Sequence, residues 1–154
     1  MTRFQLLVNL AGRIIQAGQL CVISTLHEKQ LGSAEANVLM FLFTNGDGVK
    51  QEEIVAGVAV SKPAISRTVM SLEKKGYVTR EHSTEDKRAY LVHLTAKAQR
   101  EEDFIQKQYA DLVDVAAAGI PEEKVEEFIE IFKQVADNLD NYRKSMYEEE
   151  QQSH

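Results

Sequence analysis

Within two helical turns, Ser61, Lys62, Ser66, Arg67 and Thr68 gather hydroxyls and cations, with the small residues Pro63 and Ala64 between them. Groups of this kind accept and donate hydrogen bonds and neutralise phosphate. Their setting is helical. Ser61 is a natural N-cap, and Pro63 sits where a missing N–H costs little. Ile65, Val69 and Leu72 recur four and three apart as one buried stripe, leaving the polar and basic residues off it near the amino end, where a recognition helix meets base edges. Lys74 and Lys75 precede Gly76, which suits a left-handed residue after cations at a helix's carboxyl end.

Beyond Gly76 the period changes from helix to strand. Tyr77, Val78 and Thr79 form one β-rich run and Tyr90 to Leu94 another, joined by the polar loop EHSTEDKRA. A helix followed by such a hairpin is a winged helix, with Lys87 and Arg88 at the wing tip, where Arg can enter a minor groove and Lys can neutralise phosphate. Residues 61 to 90 hold seven Lys and Arg against four acids, +3 in a chain of −6, so the remainder carries −9. A basic island in an acidic chain is the electrostatic footprint of a nucleic-acid binder.

The flanking segments must position this island. Phe4, Leu7, Ala11, Ile14, Gly18 and Cys21 step three and four apart along a long amphipathic helix that is expected to end near Gly32. Ser33 is expected to cap a second helix with a buried run from Val38 to Phe43. A third, QEEIVAGVA, closes onto Ser61 through Ala59 and Val60. Thr95 caps a helix to about Ala118, ended by Gly119, and Pro121 opens the last one. There Val125, Phe128, Phe132, Val135, Leu139, Tyr142 and Met146 form a heptad seam. Nothing in the winged region covers this seam or that of the first helix. The two are therefore expected to pack with each other and with a second copy, through Phe4, Leu7, Ala11, Ile14, Val125, Phe128, Phe132, Val135, Leu139 and Tyr142. A dimer of this kind sets two recognition helices about one DNA turn apart, on a pseudo-palindromic site.

The order and spacing of Leu72-Glu73-x-x-Gly76-Tyr77-Val78-x-Arg80, Asp86-x-Arg88 and Leu94-Thr95, between helices at both ends, resembles the MarR family of bacterial transcription regulators, from the first helix to about Met146. The resemblance implies a mainly α fold with a small β wing: a winged helix-turn-helix region, 33–95, flanked by dimerisation helices, 1–31 and 121–147 with part of 96–118, in one chain spanning 1–147. It implies a homodimeric repressor of double-stranded DNA that a small aromatic or anionic ligand releases, with a pocket among the first, second and fifth helices. Ser61, Lys62, Pro63, Ala64, Ser66, Arg67 and Thr68 match the family's major-groove residues, and Arg88 matches its minor-groove Arg. Asp86 matches the wing acid, whose charge suits holding Arg88 or Arg80. Two departures stand out: Ala98, where Gly is frequent, and Val55, where Ala is common.

Other classes fit less well. One Cys on an apolar stripe, four scattered His and no Gly-rich phosphate loop or nucleophile constellation speak against an enzyme. No cofactor is expected. His27, Glu28 and Glu35 cluster, but no His/Cys pair has strong metal-ligand spacing, and Cys21 reads as a small buried hydrophobe. A redox- or metal-responsive regulator is therefore an alternative, as is a winged-helix module for protein–protein interaction. The latter would be expected to show apolar anchors across 62–68. At 154 residues and 44% hydrophobic content the chain is expected to be one compact unit. The single Cys and the absence of a signal pattern or a membrane-spanning stretch point to the cytoplasm. The EEEQQSH tail, 148–154, is expected to be disordered.

Overall fold

Thr2 opens the chain with a capping box: its hydroxyl accepts from Gln5 N at 3.2 Å and its own N–H donates to Gln5 Oε1 at 2.8 Å. In the computed structural model, which describes residues 1–58 and 60–152, the helix so started is α1, Arg3–Thr25. It stops seven residues short of Gly32. Leu26 and Leu31 are both buried, and only a tight turn between them can put both in the core, so His27–Lys29 form a 3₁₀ turn and Gln30 takes a left-handed φ of 55°. By length and composition alone α1 could cross a membrane. This corrects the expectation that no stretch could. Gln5, Asn9, Arg13, Gln16 and Gln19 nevertheless share one face of α1, which leaves it amphipathic.

Gly32, in extended backbone, caps α2 (Ser33–Asn45) in place of Ser33, which becomes its first residue. Then come β1 (Val49–Lys50), α3 (Gln51–Val58), α4 (Lys62–Lys74), β2 (Val78–His82), β3 (Tyr90–Leu94), α5 (Ala96–Ala116) and α6 (Glu122–Gln152). Ala59, Ser153 and His154 lie outside the described residues. The strands form one antiparallel sheet in the order β1-β3-β2, with Val49 and Arg80 both opposite Val92 and His82 opposite Tyr90. Tyr77 leaves the expected strand for the core, where it is buried. The strand instead runs on through Glu81 and His82.

The chain divides into two units, Met1–Leu112 and Val113–His154, rather than one. The first holds the core, in which Leu26, Leu39, Leu42, Ile54, Ile65, Leu72, Val92 and Ile105 are fully buried or nearly so. Tyr109 ties α5 to α2 through a 2.6 Å hydrogen bond to Asn37 Oδ1, and burial pushes its hydroxyl up to about 12. Thr95 caps α5 by accepting from Ala98 N at 3.3 Å, so Ala98, itself buried, leaves the start of this helix regular. In the second unit no described residue is buried. Its helix α6 runs on through 148–152, within the stretch expected to be disordered, because Glu and Gln are good helix formers.

Candidate nucleic-acid interface

Helix α4 begins as its sequence requires. Ser61 is extended (φ −62°, ψ 149°), and its hydroxyl accepts from Ala64 N at 3.3 Å, with Pro63 in the first turn. Ile65, Val69 and Leu72 anchor one side in the core. Lys62, Pro63 and Arg67 stand exposed on the other side, with Ser66 and Ala64 half-buried at its edges. Thr68 is half-buried beside them, and its hydroxyl donates to Ala64 O at 2.9 Å within the helix, leaving its oxygen free to accept. Two residues of the exposed side lie beyond the expected set, Met70 and Lys74, three and seven positions after Arg67. The same spacing rule that found the buried stripe places them there.

The wing is braced against α4. Arg80 Nη2 is 3.2 Å from Glu73 Oε1, and Arg80 N donates to Glu73 Oε2 at 3.1 Å. Its guanidinium lies 4.9 Å from the centre of the Tyr90 ring, which in turn packs on His82 at 4.4 Å. Asp86 does not hold a guanidinium: Oδ1 accepts from the backbone N of Arg88 at 2.9 Å, closing the tip as an Asx turn. Asp86 therefore shapes the loop that presents Lys87 and Arg88, both exposed. A second brace joins the sheet to the α2–β1 loop, where His93 lies 3.0 Å from Asp47 and 2.9 Å from Glu81 through its two ring nitrogens. Partial burial pulls this imidazole down, but hydrogen bonds to Glu81 and Asp47 outweigh it, and its pKa stands above the ordinary value.

The cations of the basic island divide by partner. Lys75 is taken up by Glu35 at 2.8 Å, and Arg80 by Glu73. Lys62, Arg67, Lys74, Lys87 and Arg88 make no ion pair among the described residues. All five are exposed, on α4 and the wing tip. A cleft of about 390 Å³ runs between the two, lined by Gln51, Val55, Lys62, Pro63, Arg88 and Tyr90 among others. Concave, basic at its rim and flanked by a polar helix face, this surface can take a phosphate backbone and present side chains to base edges.

The residues expected to dimerise remain solvent-facing in the single chain. Phe4, Ile14, Phe128, Phe132, Leu139 and Tyr142 are exposed, and Leu7, Ala11, Val125 and Val135 are half-buried. Cys21 is exposed rather than buried. Among the described residues no group of three or more His, Cys, Asp and Glu is arranged to hold a metal ion.

The chain is similar to known proteins. Residues 29–89 match the profile of the MarR family. The chain is 33% identical, over 67% of its own length and 74% of the other's, to YwoH of Bacillus subtilis, an uncharacterised HTH-type transcriptional regulator. It is also 46% identical over 36% of its length to an uncharacterised protein of Pyrococcus abyssi, of which it spans 16%. A MarR transcriptional regulator from Methanosarcina mazei superposes with a TM-score of 0.80, over 87% of this chain and 96% of that one at 22% identity. CouR from Rhodococcus jostii, solved bound to p-coumaroyl-CoA, does so at 0.73, over 82% and 88%, also at 22% identity. The two structural likenesses establish the winged helix-turn-helix fold. On the YwoH relationship and the family profile, the chain belongs to the MarR family of winged helix-turn-helix, DNA-binding transcriptional regulators.

Proposed function

We propose that the chain acts in the cytoplasm as a homodimeric repressor, reading a pseudo-palindromic operator and released from it by a small aromatic or anionic ligand. The observation that carries the DNA-reading part is the set of five exposed cations on α4 and the wing tip that make no ion pair among the described residues. The neighbouring Lys75 and Arg80 are neutralised internally. In this reading Ser61, Lys62, Pro63, Ala64, Ser66, Arg67 and Thr68 enter the major groove, Arg88 the minor groove, and Lys87 meets phosphate. A protein-binding module would instead be expected to carry aromatic or aliphatic anchors across 62–68.

Dimerisation is supported by α6. A 31-residue helix is about 46 Å long. With Phe128, Phe132, Leu139 and Tyr142 exposed and no described residue of its unit buried, it needs a partner surface of matching length. Release by a ligand is supported by the p-coumaroyl-CoA held by CouR.

Selection of duplexes from a random pool at moderate salt tests the reading. A two-fold symmetric consensus is the expected result, together with a dimer by light scattering at micromolar concentration. Recovery of no preferred duplex would favour the interaction module, and a monomer would remove the two-fold operator.

A further inference from the structure

Met70 is the one large apolar side chain among the exposed residues of α4, with 53% of its surface in solvent. Its place on the helix is specific. It follows Ser66 by four and Arg67 by three and precedes Lys74 by four, so it lies on the face those residues share, opposite Ile65, Val69 and Leu72. The cations on either side of it, Arg67 and Lys74, make no ion pair among the described residues. Bound phosphates would therefore bracket Met70 and hold it against the groove floor.

The thioether offers at best a weak acceptor, so it cannot read the polar edge of a base. One feature of the major groove rewards an apolar side chain, the C5 methyl of thymine. Resting on the DNA-reading function proposed above, we infer that Met70 is a specificity-determining residue that packs on a thymine methyl in each half-site. Along the helix axis Met70 lies about 4.5 Å beyond Arg67 and about 6 Å beyond Ser66. A base step is about 3.4 Å. The thymine is thus one or two steps from the bases that Ser66 and Arg67 meet, on the side toward Lys74.

The test uses the full chain and the duplex enriched from a random pool. Each thymine is replaced in turn by deoxyuridine, which lacks only the methyl, and affinities are titrated for the wild type, Met70→Ala and Met70→Leu. At one symmetry-related pair of thymines the wild type and Met70→Leu lose about fourfold per half-site, the ratio for one methyl-sized group. Met70→Ala binds the thymine and uridine duplexes equally, and its unfolding midpoint stays close to the wild type's because the side chain is exposed. Insensitivity of the wild type at every thymine, or full sensitivity retained by Met70→Ala, overturns the role of Met70 while leaving DNA binding intact. Enrichment of no duplex overturns the DNA-reading function, and the role of Met70 with it.

Discussion

Lys75, at the carboxyl end of α4, donates to both carboxylate oxygens of Glu35 in α2 at 2.8 Å, and Ser71 donates to the same carboxylate at 3.1 Å. Lys75 also reaches Gln30 O at 2.6 Å, across the turn that ends the first helical segment. One acid therefore fixes the far end of the reading helix against the scaffold. Glu35→Ala strips a half-buried ammonium and a hydroxyl of their acceptor. It should lower unfolding free energy by about 1.5 to 3 kcal/mol, the range for hydrogen bonds to charged groups, as read by urea denaturation. Glu35→Gln, which keeps an acceptor, should lose less.

The division of cations predicts two kinds of variant. Arg67→Ala, Lys87→Ala and Arg88→Ala should each weaken DNA binding and flatten the dependence of log affinity on log salt. The slope should fall by about one for each phosphate left without its cation, hence about two per dimer. Lys75→Met should cost stability and leave the slope in place. A gel-shift titration at four or five salt concentrations separates the two, and an unchanged slope for Arg88→Ala would remove the wing from the interface.

Gly57 in α3 faces the ring of Phe41 so closely that a β-carbon added there would collide with it. Gly57→Ala must push the ring aside or tilt α3 away from α2. About 1 to 3 kcal/mol of stability should be lost, as for other overpacked sites. Thermal unfolding measures the loss, and Phe41→Leu in the same chain should recover part of it.

His93 gives the sheet a pH dependence of definite sign. Its folded pKa is raised, so its pairs with Asp47 and Glu81 contribute fully below the unfolded value of about 6.5 and fade as pH rises through the folded value. The stability difference between the wild type and His93→Gln should be largest near pH 5.5 and shrink above neutrality. A difference that grew with pH would contradict the charged bridge.

Much of this architecture is legible in the primary structure. The caps at Ser61 and Thr95, the buried stripe Ile65–Val69–Leu72 and the β3 run from Tyr90 are local signals, and each residue there answers mainly to its own neighbours in sequence. The features that are not legible depend on distant partners. The two-residue strand at Val49 exists because β3 offers it an edge. The end of α1 at Thr25 is set by the need to bury Leu26 and Leu31 together, and Tyr77 leaves its strand for the core. At the candidate interface, the exposed cations Arg67 and Arg88 are proposed from type and position, but the pairing of Arg80 with Glu73, rather than Asp86, requires the fold. Met70 and Lys74 are within reach of the helical period but lie past the amino-terminal turns where base-reading groups usually gather.

Thr95 donates through its hydroxyl to Gly76 O at 2.6 Å, and its N–H reaches Tyr77 O at 3.0 Å. The chain thus returns, at the end of β3, to the point from which the hairpin set out. Between these points Val78 and Val92 pack in the core and β3 pairs with β1, and beyond them the hairpin is a closed stem with a polar tip. Its tip can gain, lose or exchange residues while α4 and α5 keep their junction, so the reach of the hairpin is set independently of the placement of α4.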